Sequence, residues 1–72
     1  MTVLSTINER RHKYGMPIAE LARRTDIDYQ ALRSSLNGER RLSASELLRV
    51  CSELDLSLED FKHADLTEGV GA

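Results

Sequence analysis

The stretch of residues 17–38 constrains the fold more than any other part of this 72-residue chain. Each half of the stretch repeats apolar residues at three- and four-residue spacing, which is typical of one face of a helix. These apolar positions are Ile18, Leu21, Ala22, Ala31, Leu32 and Leu36. Asp28 can cap the second helix and Gly38 can end it, since glycine readily adopts the left-handed conformation. The stretch therefore predicts two short helices joined by a tight turn at residues 25–27, with Ile27 buried.

Three further helices are predicted around this pair, over residues 3–14, over residues 44–54 and directly after residue 57. Residues suited to capping or ending helices stand at the expected places, namely Thr2, Gly15, Ser43 with Glu46, and Ser57. No alternating pattern of a strand occurs in the sequence. We therefore predict an all-α fold, a compact five-helix bundle.

The centre of the core is expected on the fourth helix, which carries a broad apolar stripe. The stripe consists of Leu47, Leu48, Val50, Cys51 and Leu54. On the short fifth helix, Leu58 and Phe61 are expected to turn inward. The predicted domain spans residues 1–63, and residues 64–72 are predicted to form a flexible tail.

Composition excludes several classes of protein. The single cysteine, Cys51, excludes an internal disulfide, and the two isolated histidines predict no metal site. No apolar run is long enough for a transmembrane helix, and the N-terminus lacks the pattern of a secretory signal. No catalytic arrangement is visible. We expect a cytoplasmic protein that is not an enzyme and has no cofactor, no small-molecule substrate and no membrane contact.

The net charge of −2 at first argues against a nucleic-acid partner. The charges are unevenly distributed, however. Residues 1–42 contain eight basic and five acidic side chains, whereas residues 43–72 contain two basic and seven acidic ones. A basic face can therefore lie in front of an acidic one. An ordinary solvated surface remains the alternative interpretation.

Residues 4–61 resemble the Cro/phage-repressor (XRE-like) helix-turn-helix domains. The resemblance is carried, in order, by the segments I-N-E-R-R-H-K-Y-G, A-E-L-A-R-R-T-D-I-D, L-R-S-S-L-N-G-E-R-R and S-A-S-E-L-L-R-V-C-S-E-L-D-L-S-L-E-D-F. It implies a bundle of the lambda-repressor-like DNA-binding type. The motif would lie at about residues 17–36, and its recognition helix at about residues 28–36.

The chain departs from the family pattern at three places. Ile18 stands where members often have a phosphate-binding Gln, and Asp26 stands where many have a Gly in the turn. Leu36 occupies the position of a Glu that pairs with an arginine of helix one, while Arg11 remains. We expect this ion pair to be absent here.

The resemblance implies that the recognition helix enters the major groove of double-stranded DNA. The predicted base contacts are Tyr29, Gln30, Arg33 and Ser34. The predicted phosphate contacts are Ile18, Asn37, Arg40 and Arg41. Gln30 can pair bidentately with adenine, and Arg33 can reach guanine or a phosphate. Asp28 and Glu39 would repel phosphates, although Asp28 could instead accept a hydrogen bond from cytosine N4.

The predicted function is that of a sequence-specific transcriptional regulator, repressor- or Cro-like, acting on an operator in a prokaryotic cell or phage-infected host. A homodimer would place two copies on two half-sites, with Leu56, Phe61 and Leu66 as the candidate interface. The alternative is a protein-interaction module on the same fold, such as an antitoxin or an antagonist of another regulator.

Overall fold

The computed structural model describes residues 2–62. It contains four α-helices, α1 (Val3–Lys13), α2 (Ile18–Thr25), α3 (Tyr29–Leu36) and α4 (Ala44–Leu54), followed by a 3₁₀ helix, η1 (Leu58–Phe61). No extended strand occurs between residues 2 and 62. The all-α class is confirmed, but the count of five α-helices is wrong. The last element is a single tight turn whose backbone bonds join residues three apart, such as Asp60 N–H to Ser57 O at 3.0 Å.

Reciprocal hydrogen bonds at helix starts confirm the predicted caps. Ser43 Oγ accepts from Glu46 N–H at 3.2 Å, while Glu46 Oε1 accepts from Ser43 N–H at 2.9 Å. Thr2 and Ser5 form the same arrangement at the start of α1. Such a cap stabilises a helix by about 1 kcal/mol. The starts of α1 and α4 are therefore set by local capping residues.

The turn between α2 and α3 is held by contacts from both sides. Asp26 ends α2 in the left-handed conformation with φ of 56°, a position that glycine adopts more easily. The hydroxyl of Thr25 donates to Leu21 O at 2.7 Å, and Ile27 is buried as predicted. From α4, Arg49 Nη1 donates to Thr25 O at 2.9 Å. This last contact, which joins the turn to α4, could not be predicted from sequence spacing.

The core lies where α2 packs against α3 and α4, and where α1 packs against α4 and η1. Its buried apolar side chains are Val3, Leu4, Ile7, Leu21, Ala22, Ile27, Leu32, Leu36, Leu42, Val50, Leu54 and Phe61. Burying one large aliphatic side chain of this kind contributes about 1.5–3 kcal/mol. The predicted inward faces of α2 and α3 are thus confirmed, and they orient α3 with its polar side outward.

Two leucines that were expected in the core are exposed. Leu48 is 70% exposed, because it lies two residues from buried Val50 and hence about 200° around the helix. Leu58 is 89% exposed, although Phe61 is buried. Residues three apart share a face in a 3₁₀ helix, so Leu58 lies on the side of Phe61 but at the margin, where no described element covers it. The predictions for Leu48 and Leu58 are therefore wrong.

Candidate nucleic-acid interface

The outward face of α3 brings together the four side chains predicted to contact bases. Tyr29 is 44% exposed, Gln30 and Arg33 are exposed, and Ser34 is half-buried. They lie at the first, second, fifth and sixth positions of the helix, which form one contiguous surface at helical spacing. The opposite side of α3 is anchored by buried Leu32 and Leu36. The polar surface is therefore presented by a rigidly packed helix.

Asp28 fixes the start of this helix. Its Oδ2 accepts a hydrogen bond from Ala31 N–H at 3.1 Å, so it is the predicted N-cap. The side chain remains exposed beside Tyr29. One carboxylate thus stabilises α3 while placing an exposed negative charge at its N-terminal end.

The predicted phosphate contacts at the N-terminus of α2 and at the C-terminus of α3 are placed differently. Ile18 is the first residue of α2, its side chain is half-buried against the core, and Pro17 before it supplies no side-chain cap. Any contact from Ile18 would therefore use its backbone N–H rather than its side chain. Asn37 is the exposed C-cap of α3.

The two arginines after α3 have different surroundings. Arg40 donates from Nη1 to Ser35 Oγ at 2.8 Å and from Nη2 to Glu46 Oε2 at 3.0 Å. This bond from Arg40 and the backbone bond from Ser43 lower the pKa of the Glu46 carboxyl. Arg41 is exposed and has no ion pair within residues 2–62. Arg41 therefore offers an uncompensated charge, whereas the charge of Arg40 is largely balanced by Glu46.

Most other arginines away from α3 are paired with acids. Arg23 and Arg24 both bond to Glu20, and these bonds, that of Arg23 first, lower the pKa of Glu20 to about 2. Arg10 bonds to Asp60 at 3.1 Å. Arg11 differs from these, since its described partners are neutral: the side chain of Asn8 and the carbonyl oxygen of Met16. Asn8 was not among the predicted site residues, because no sequence motif marks it and only its hydrogen bonds in the folded chain distinguish it.

A second surface is an apolar groove between α4, η1 and the start of α1. We call this the α4 groove; its volume is about 550 Å³. Its lining residues are Val3, Leu47, Leu48, Cys51, Leu56, Ser57, Leu58, Phe61 and Lys62. Of the predicted interface residues, Leu56 is half-buried and Phe61 is buried, and both line the groove, whereas Leu66 lies outside the described residues. Burial in this apolar setting raises the pKa of the Cys51 thiol.

Comparison with known proteins identifies the fold family. Within residues 2–62 there is no helix with the length and apolar character needed to cross a bilayer. No curated protein and no solved structure matches the chain significantly. Residues 6–63 match the family described as the Cro/C1-type HTH DNA-binding domain. This match covers the four helices almost completely, and the chain therefore belongs to the family of Cro/C1-type helix-turn-helix DNA-binding domains.

Proposed function

We propose that the protein is a sequence-specific, repressor-like transcriptional regulator that reads the major groove with α3. The observation that carries this proposal is the uninterrupted polar face of Tyr29, Gln30, Arg33 and Ser34 on a helix whose other face is locked in the core. Bidentate pairing of Gln30 with adenine would supply about 1–3 kcal/mol of discrimination. Arg33 would contact guanine or a phosphate. Such a regulator would act where prokaryotic or phage DNA is transcribed, in the cytoplasm.

Phosphate contacts would fix the orientation of α3 in the groove. The N–H of Ile18 begins α2, where the helix dipole favours an anion, and Asn37 follows the end of α3. Arg41 would supply a full positive charge. Arg40 would contribute less, because Glu46 already compensates its charge.

Binding-site selection from random duplexes, followed by anisotropy titrations at several salt concentrations, tests this proposal. The selected site should bind at least about 10³-fold more tightly than a scrambled duplex. Gln30→Ala should relax specificity at one position, whereas Arg41→Gln should weaken both duplexes equally and reduce the salt slope by about one. A selected site that binds no better than the scrambled duplex would refute the regulator, and unchanged specificity of Gln30→Ala would refute reading by Gln30.

We further propose that two copies associate through the α4 groove. Leu58, Leu56 and Phe61 all line the groove, and Leu58 is almost fully exposed at its edge, so each copy offers both a protruding leucine and a cavity. This self-complementarity is what a twofold interface requires. A standard interface buries about 800 Å² per partner, less than a fifth of the 4517 Å² surface of this chain. The groove and its two exposed leucines supply the apolar centre of such a patch, so the dimer would be weak and completed on DNA.

Sedimentation equilibrium with Leu48→Lys and Leu58→Lys tests the dimer. Both leucines are exposed, so each variant should fold normally. Each dimer should be weaker than that of the wild type and should therefore dissociate at a higher protein concentration. Ser45→Lys is the matched control, since Ser45 is exposed on the same helix and does not line the groove. Equal self-association of all four proteins would exclude the groove as the interface.

The alternative, a protein-interaction module on the same fold, is supported by the net charge of −2 and by the exposed acids Asp28 and Glu39 beside α3. A protein without duplex affinity at low salt would favour it. We propose no enzymatic activity, since the walls of the α4 groove are almost entirely apolar.

A further inference from the structure

Arg11 is held in place without being neutralised. Its Nε and Nη2 both donate to Asn8 Oδ1 at 3.2 Å, and its Nη1 donates to Met16 O at 3.1 Å. Nη2 also lies 3.4 Å from Nε2 of His12. An amide oxygen accepts the same hydrogen bonds as a carboxylate oxygen but carries no charge. The guanidinium is thus oriented by neutral acceptors and keeps its full positive charge.

The same amide also contacts the end of α3. Asn8 Nδ2 donates to Leu36 O at 3.4 Å, so one side chain joins α1, Arg11 and the last turn of α3. Met16, the other partner of Arg11, lies two residues before the start of α2. Arg11 is therefore placed between the two helix ends, at Ile18 and Asn37, where the proposed function expects phosphates.

We infer that Asn8 is a positioning residue that presents Arg11 as an oriented, uncompensated cation to a DNA phosphate. The inference rests on the proposed function and extends it to a residue that touches no DNA itself. Three of the five guanidinium N–H groups are used by Asn8 and Met16, and the second Nη2 N–H lies against His12, so the second Nη1 N–H can donate to a phosphate. Preordering matters, because a free arginine would lose its side-chain freedom on binding.

Substitutions at Asn8 separate orientation from charge. Asn8→Asp keeps an acceptor for Arg11 but neutralises its charge, so the salt slope of DNA binding should fall by up to about 0.9, as for Arg11→Gln. Asn8→Ala leaves the charge but removes its support, so affinity should fall about 2- to 10-fold at every salt concentration with little change in slope. Arg11→Lys should retain the slope but bind more weakly, because it loses the fixed fork of donors.

The assay is fluorescence anisotropy on a labelled random-sequence duplex at several salt concentrations between roughly 50 and 200 mM. Ser52→Glu is the matched control: it makes the same change in net charge at an exposed residue of α4 that does not line the α4 groove. Melting curves confirm that each variant is folded, and Arg11→Lys keeps the test valid if an Asn8 variant is not.

Two results would overturn the inference alone. One is an Asn8→Asp protein with the wild-type slope, and the other is an Arg11→Gln protein whose slope matches that of Ser52→Glu. A wild-type protein that does not bind the duplex at any of these salt concentrations would overturn the proposed function as well. The two failures are therefore distinguishable.

Discussion

Two substitutions at Asp28 separate its effect as the N-cap of α3 from the effect of its negative charge on DNA binding. Asp28→Ala removes the hydrogen bond to Ala31 N–H, which costs about 1 kcal/mol, and the charge–dipole attraction at the helix start, which adds about 0.3–1 kcal/mol. For a domain of this size, the melting temperature should fall by about 5–15 °C. Asp28→Asn keeps the cap and loses only the charge term, so its melting temperature should fall by about half as much or less.

The same pair of variants predicts opposite changes in folding and DNA binding. One negative charge about 7 Å from a phosphate in water costs about 0.6 kcal/mol, so Asp28→Asn should bind random duplex about threefold more tightly. Calorimetric melting and anisotropy titrations on the two variants measure both effects. Equal stability of Asp28→Ala and the wild type would refute the capping argument. Weaker binding of Asp28→Asn only to duplexes with cytosine at one position would show instead that Asp28 reads a base.

Other predictions follow from burial and charge. Leu32→Ala should cost about 2–5 kcal/mol, since Leu32 is fully buried, whereas Leu48→Ala should stay within about 0.5 kcal/mol; equal losses in chemical denaturation would contradict the assigned faces. The pKa of Glu20 is lowered from 4.5 to about 2 in the folded protein. As the pH falls, the Glu20 carboxylate is therefore protonated in the unfolded chain before it is protonated in the folded one. The stabilisation from Glu20 is therefore complete above pH 4.5 and lost toward pH 2. The melting temperatures of Glu20→Gln and the wild type should converge over that range, and a constant difference would argue against the ion pairs with Arg23 and Arg24.

The local features of the fold could be predicted from the sequence because they depend on residues close together in the chain. Asp28, and Ser43 with Glu46, cap their helices as their types and spacing indicate. Leu32 and Leu36 are buried because the three- and four-residue spacing of α3 leaves them on one face. Each of these predictions concerns a choice made within two helical turns.

The wrong predictions concern the burial of Leu48 and Leu58, which depended on whether another element covers each side chain. Five apolar residues within eight positions of α4 exceed what one inward stripe can hold, so one residue had to face outward. That residue is Leu48, and the sequence alone could not tell whether a later element would cover it. Leu58 shows the same difficulty at η1, where it lies on the side of buried Phe61 but no described element covers it. Both leucines line the α4 groove.

The charges of the candidate interface could not be predicted from the sequence, because they depend on contacts between residues that are distant in the chain. Arg40 and Arg41 are adjacent and chemically identical, yet only Arg40 is reached by the carboxylate of Glu46, which the capping box of α4 holds in place. The capping box could be predicted from sequence spacing, but its effect on Arg40 could not. Asn8 likewise acts across 28 positions of sequence through its bond to Leu36 O.

The net charge of −2 is therefore a poor guide to this surface. Within the described residues Asp60 balances Arg10, and Glu20 balances one of the two charges of Arg23 and Arg24, which reduces the charge that these arginines offer a polyanion. Arg11, Arg33 and Arg41 have no acidic partner among residues 2–62, and they lie beside, on and after α3. Salt screens the interaction between exposed charges beyond about 10 Å at moderate ionic strength. The attraction of a phosphate near α3 to these three arginines is therefore stronger than its repulsion by the acids of the C-terminal half. Local pairing, rather than total charge, makes DNA binding compatible with an acidic chain.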